Sequence, residues 1–141
     1  MEIFDINTWW LLVLIIVLFT FAYKKLTRNP DAITSKFVAR KKVQGNPEQN
    51  LRIIKEASKN AGFRKVGFDE ERSRFYAQTS FSMSSFLEYI DVSFTQDNFF
   101  TELEFKSICA LPTQIIDWGK NKRNFNKFER ELEKLIPRSV N

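Results

Sequence analysis

The chain has no histidine and a single cysteine among its 141 residues. Without histidine there is no Ser-His-Asp triad, no Cys-His pair and no imidazole metal ligand. One cysteine, Cys109, permits neither an intrachain disulfide framework nor a thiolate zinc cluster. Glycine is scarce too: there are four, and none falls in a phosphate-cradling G-x-G-x-x-G or G-x-x-x-x-G-K-[ST] pattern. Before residue 24 there is no lysine or arginine at all, only Glu2 and Asp5. These shortages leave little room for familiar catalytic chemistry. The reading therefore calls for no cofactor and no metal.

Apolar residues are plentiful, at 43%, and phenylalanine alone contributes 15. Mean hydropathy is nevertheless −0.32, so the apolar excess must be concentrated. It is concentrated at the N-terminus. Ile6 to Tyr23 carries no charge and only Asn7, Thr8 and Thr20 as polar members. A bilayer core needs roughly 17–25 such residues. Trp9 and Trp10 stand at one end and Tyr23 at the other, as amphipathic rings do at headgroup level. A buried core helix would need a larger domain to enclose it on every face. A cleaved signal peptide would need a positive start and a small-x-small site, and neither is present. Residues 1–26 are read as a transmembrane anchor.

Lys24, Lys25 and Arg28 follow the span, so the positive-inside rule predicts the N-terminus outside and the soluble domain in the cytoplasm, at the plasma (inner) membrane. The single unpaired cysteine agrees with a reducing compartment. Residues 24–74 hold 14 basic against 6 acidic side chains, whereas residues 75–141 hold 8 against 9. Positive charge thus gathers beside the bilayer, where each Lys or Arg contributes about 1 kcal/mol against anionic lipid. Residues 27–45 read as a basic juxtamembrane tether. Within it, Asn29-Pro30 resembles a helix start, and Ile33 and Phe37 share a face. A short amphipathic helix on an anionic leaflet and a solvated linker are both open.

Residues 46–141 predict a two-layer α+β domain. Asn46-Pro47 opens an amphipathic helix that Gly62 ends. The rhythm then changes to two. Strands are expected over 63–68, 73–83, 86–95 and 99–111, joined by short turns into a four-stranded antiparallel meander. Glu88/Asp91, Glu70/Glu71 and Glu102/Glu104 read as solvated carboxylates. Cys109 reads as a buried small hydrophobe. The other sheet face would offer Tyr76, Gln78, Ser80, Tyr89 and Ser93, residue types common in recognition surfaces. A last helix is expected over 117–136, with Trp118, Asn121, Phe125, Phe128, Leu132 and Leu135 on its inner stripe.

The segment leading into that helix is the candidate anion- or partner-binding site: Asp117, Trp118, Gly119, Lys120, Asn121 and Arg123. Free N–H groups of a first helical turn beside cations can hold a phosphate or carboxylate. The plainer alternative is a junction that locks the helix to the sheet, with Trp118 as its plug. Lys106-Ser107-Ile108-Cys109-Ala110 followed by Asp117-x-Gly119-x-Asn121 resembles the signature of a bacterial and plastid domain family of unknown function, in which the strand commonly reads Arg-Ser-x-Ser-Arg. Asn124 stands where that family's Arg is expected. The resemblance implies the fold from Pro47 onward and no activity.

The expected function is a noncatalytic membrane-anchored binding or assembly module, an accessory subunit. Its partners would be the anionic leaflet and another membrane or membrane-associated protein. The alternative is a membrane-tethered nucleic-acid-binding domain reading single strands on Tyr76 and Tyr89. Glu102, Glu104, Glu88 and Asp91 oppose it, and nucleic acid is not an expected partner. A catalytic reading would have to use Asp117 or the paired Glu residues.

Overall fold

A computed structural model describes residues 6–81, 87–97 and 99–136, with backbone only at residues 6–8. The chain runs through α1 (Ile6–Leu26), β1 (Lys36–Gln44), α2 (Pro47–Asn60), β2 (Arg64–Asp69), β3 (Arg74–Gln78), β4 (Glu88–Gln96), β5 (Phe100–Cys109) and α3 (Lys120–Leu135). The expected turn at Ser84-Ser85, the strand ends at Met83 and Phe86, and Asn98 lie outside the described residues.

At 1.5 Å per residue the 21 residues of α1 extend about 31 Å. Trp9–Leu26 is long and apolar enough to cross a membrane. Its aliphatic and aromatic side chains are exposed around the helix rather than packed on the domain. Thr20 is tolerated because its hydroxyl donates to the Ile16 carbonyl one turn back, at 2.8 Å.

The domain is α+β, as the patterning predicts, but its antiparallel sheet has five strands in the order β1-β5-β4-β3-β2. The extra strand is β1, which occupies residues expected in the tether, where a helix start at Asn29-Pro30 was one option. Asn29 instead caps a turn, its side-chain oxygen accepting from the Asp31 N–H at 3.0 Å. From Lys36 to Gln44 each residue pairs with β5, from Ile108 back to Phe100. The strand's period is disguised because Lys41 takes an inward position and Val38 an outward one. Lys41 sits inward because its amine reaches α3, at 2.8 Å from Glu129 and 2.6 Å from Glu133. An edge strand rich in lysine also resists pairing with a second chain.

After β1 the chain crosses the sheet through α2 to reach the opposite edge at β2. Asn46 caps α2 by accepting from the Glu48 N–H at 2.9 Å. Helices α2 and α3 lie side by side on one sheet face, and the core fills the space between. Ile54, Ile90, Val92, Leu103, Phe105, Phe128 and Leu132 are among its fully enclosed members. Phe105 stacks on Phe128 at 5.1 Å between centroids and meets Phe125 edge-on at 5.4 Å. Rings of this size add about 2–3 kcal/mol each when buried, as Phe63, Phe75, Phe105 and Phe128 are. Among the described residues no helix lies over the other sheet face.

The β1–β5–β4 pairing defines two ends of the sheet. One end gathers the residues after α1, the β5–α3 loop and the start of α3. The other gathers the α2 N-terminus, the charged turn at 69–73 and the β4–β5 turn. The first end is joined to α1. Lys24 donates to Thr34 Oγ1 at 2.5 Å, and Thr34 donates to the Pro112 carbonyl at 2.8 Å.

Candidate functional site

The segment from Asp117 to Asn124 is a closed junction. Asp117 aims its carboxylate back at the helix start, accepting from the N–H of Gly119 at 3.1 Å and of Asn121 at 2.7 Å. Its main-chain oxygen accepts from the Lys120 N–H at 2.9 Å. Burial pushes the Asp117 carboxyl up, but hydrogen bonds from the Asn121 and Gly119 N–H groups, together with those from the Ser35 and Asn121 side chains, hold the group below its ordinary value. The chain therefore supplies its own anion to the donors that a bound phosphate would need.

The cations are placed differently from one another. Lys120 turns inward, 3.2 Å from Glu88 Oε2. Arg123 stays outside and donates to the Trp118 carbonyl at 2.7 Å. Trp118 corrects the expectation of a plug on the inner stripe: it is 74% exposed. Its φ of 51°, followed by 75° at Gly119, turns the backbone so that the indole leaves the sheet. A left-handed bulky residue costs roughly 1–3 kcal/mol and persists only where its surroundings fix it.

Behind this junction lies a polar chain that the sequence reading did not assemble. Glu88 was expected to be solvated; it is completely buried. Thr79 donates to its Oε2 at 2.5 Å, and Asn124 approaches the same oxygen at 3.5 Å. Asn124 also donates to Ser107 Oγ at 3.1 Å, and Ser107 donates to Asn121 Oδ1 at 2.6 Å. Asn121 then donates to the Ser35 carbonyl at 3.1 Å and approaches Cys109 Sγ at 3.5 Å. Cys109 is buried, as expected, and burial raises its thiol pKa, with Asn121 partly opposing. A thiol so placed is a poor nucleophile.

Period-two logic held the missed signal. Glu88 shares parity with Ile90, Val92 and Phe94, and Ser107 shares it with Leu103, Phe105 and Cys109. Charge and polarity masked positions that the alternation places inside. Chemically the cluster is a lock. Among the described residues the only buried side-chain polar atom without a hydrogen bond is Gln114 Oε1, in the neighbouring loop. Also among the described residues, no three His, Cys, Asp or Glu side chains come together as a metal site.

The open sheet face carries Tyr76 and Tyr89, both exposed, amid charges that pair across strands. Arg40 meets Glu104 at 2.8 Å, and Arg74 meets Asp91 at 2.6 Å and Asp69 at 3.4 Å. Gln78 and Ser93 lie on the same face, beside Tyr89 and Arg74 in the register. Ser80 lies beyond the end of β3. A groove of about 710 Å³ at the far end of the sheet, lined by Lys42, Gln44, Gly45, Gln49, Asn50, Phe99 and Phe100, shares nothing with the junction. Of the residues expected at a membrane interface, Trp9, Trp10, Tyr23, Lys25 and Arg28 are exposed. Lys24 folds inward to Thr34 and the Pro30 carbonyl. No protein-family model, no curated protein and no solved structure matches the chain.

Proposed function

We propose that the chain is a noncatalytic, single-pass membrane-anchored binding module: an accessory subunit whose α+β domain faces the cytoplasm and holds another membrane or membrane-associated protein. The observation that carries this reading is the helix-free sheet face. It bears exposed Tyr76 and Tyr89 between cross-strand ion pairs. The acid at the heart of the fold, Glu88, is completely enclosed and offers a substrate no approach. The orientation rests on Lys25 in the last turn of α1 and Arg28 just after it, with no lysine or arginine before residue 24. That asymmetry also favours the inner membrane and its anionic leaflet. Nucleic acid suits the open face poorly, because Glu104, Asp91 and Asp69 already occupy its arginines.

Photo-crosslinking of the full chain in native membranes tests the reading. A crosslinker at position 76 or 89 gives a discrete protein adduct, and one at Lys127, on the outer side of α3, gives none. Adducts of equal yield at all three positions, or none above the dark control, overturn it. RNA binding by the detergent-solubilised chain with a steep salt slope would replace it with the nucleic-acid alternative. Rapid labelling of Gln96→Cys from outside intact cells would reverse the orientation.

A further inference from the structure

At the end of the sheet joined to α1, the loop between β5 and α3 exposes four large apolar side chains within eight residues. They are Leu111, Ile115, Ile116 and Trp118, with Ile116 62% and Trp118 74% exposed. Apolar residues massed in one loop mark a contact surface, whereas scattered ones do not. The opposite end has nothing comparable: among its described turn residues Phe99 is the one large apolar side chain so exposed.

Three observations identify what covers the loop. The first is position. Two hydrogen bonds link the Lys24 amine, in the last turn of α1, to the Pro112 carbonyl through Thr34. The Gln114 carbonyl, further along, accepts from the Ser35 N–H at 2.8 Å. The loop is therefore fastened beside the end of the candidate span. The second is charge. Lys25 and Arg28 on one side and Lys122 and Arg123 on the other are exposed, and Arg123 is tied to the Trp118 carbonyl. The acids nearby are already engaged: Asp31 with Lys106, Glu88 with Lys120, and Asp117 with the α3 N–H groups. The third is the backbone. Trp118 holds a left-handed conformation that aims its ring away from the core. Tryptophan flanked by cations is a side-chain set suited to the headgroup layer.

We propose that this loop is a second membrane contact. Leu111, Ile115, Ile116 and Trp118 enter the headgroup layer of an anionic leaflet beside α1, and Lys122 and Arg123 meet lipid phosphate. The proposal rests on the anchored reading and adds to it a fixed seat for the domain. The domain lies against the bilayer by two attachments rather than swinging on one.

Tryptophan quenching in the full chain tests both readings separately. In W9F/W10F, Trp118 is the sole indole; in W118F, only Trp9 and Trp10 remain. Each variant is reconstituted into phosphatidylglycerol/phosphatidylcholine vesicles carrying lipids brominated near the headgroup or near the chain ends. Trp118 is expected to lose at least half its emission to the shallow bromines and less to the deep ones. Adding K122Q/R123Q lowers that quenching at least twofold in anionic vesicles. If Trp118 is unquenched while Trp9 and Trp10 are quenched, the anchor stands and the second contact fails. Protection from acrylamide without bromine quenching also overturns the proposal and assigns the loop to a protein contact, such as a second copy. If Trp118 is quenched while Trp9 and Trp10 are not, the loop contact stands and the anchored reading fails.

Discussion

The two faces of the sheet carry similar polar residues and use them in opposite ways. On the helix-covered face, Glu88, Thr101 and Ser107 are fully enclosed, and Asn50, Asn121 and Asn124 reach down from α2 and α3 to meet them. On the open face, Arg74, Asp91 and Asp69 pair in contact with water. Enclosure changes the sign of the design problem. A buried polar group without its partner is expensive, so each covered-face contact fixes where a helix must sit. A solvated pair loses little when parted, so the open face is left for surface chemistry. Specificity of the fold and availability for binding are thus divided between two sides of the same five strands.

Substitutions rank by how directly they break this division. Glu88→Ala leaves Lys120 facing an empty, enclosed site and is expected to cost about 3–5 kcal/mol, measured by urea unfolding of the full chain in detergent micelles. A loss under 1 kcal/mol would put Glu88 on the same footing as the open face. Ser107→Ala strands Asn121 and Asn124 together and should cost about 1–3 kcal/mol in the same titration. Asp117→Ala removes the acceptor at the start of α3, at about 1 kcal/mol. Asp91→Ala, on the open face, should cost no more than about 1 kcal/mol, and added salt should shrink that further.

Asp117 also gives the junction a pH signature. Its folded pKa lies below the ordinary value of 3.8, so its contribution is complete above that value and is lost as pH falls through the lower folded value. Wild type should therefore lose this increment below about pH 4, and Asp117→Asn should not. Parallel acid-unfolding curves for the two proteins would remove Asp117 from the account.

The architecture was legible wherever one periodicity acted alone. The α2 helix stands out because cap, apolar stripe and stop agree at Asn46, Ile54, Ala57 and Gly62. The same holds for β4 and β5, whose alternation of Val92, Phe94, Leu103 and Phe105 is nearly unbroken. It failed where a long-range partner overrode the residue type. Lys41 points inward only because Glu129 and Glu133 arrive from α3, and Glu88 only because Lys120 and Thr79 do. The candidate site was half legible. Asp117, Gly119 and Asn121 were recognisable as a helix entry. What they close on is Ser107, 14 positions back, and Ser35, 86 positions back. Trp118 reads as core by type and is surface by backbone.

One consequence concerns the order of synthesis. The first strand made is β1, yet it pairs only with β5: Arg40 waits for Glu104, 64 positions later. At roughly 5–20 residues per second, that is a delay of about 3–13 s on the ribosome. During it, both edges of β1 are bare, close to a hydrophobic segment that has already emerged. The run Arg40-Lys41-Lys42 then acts as a guard on an unfinished strand before it serves as the margin of a finished sheet.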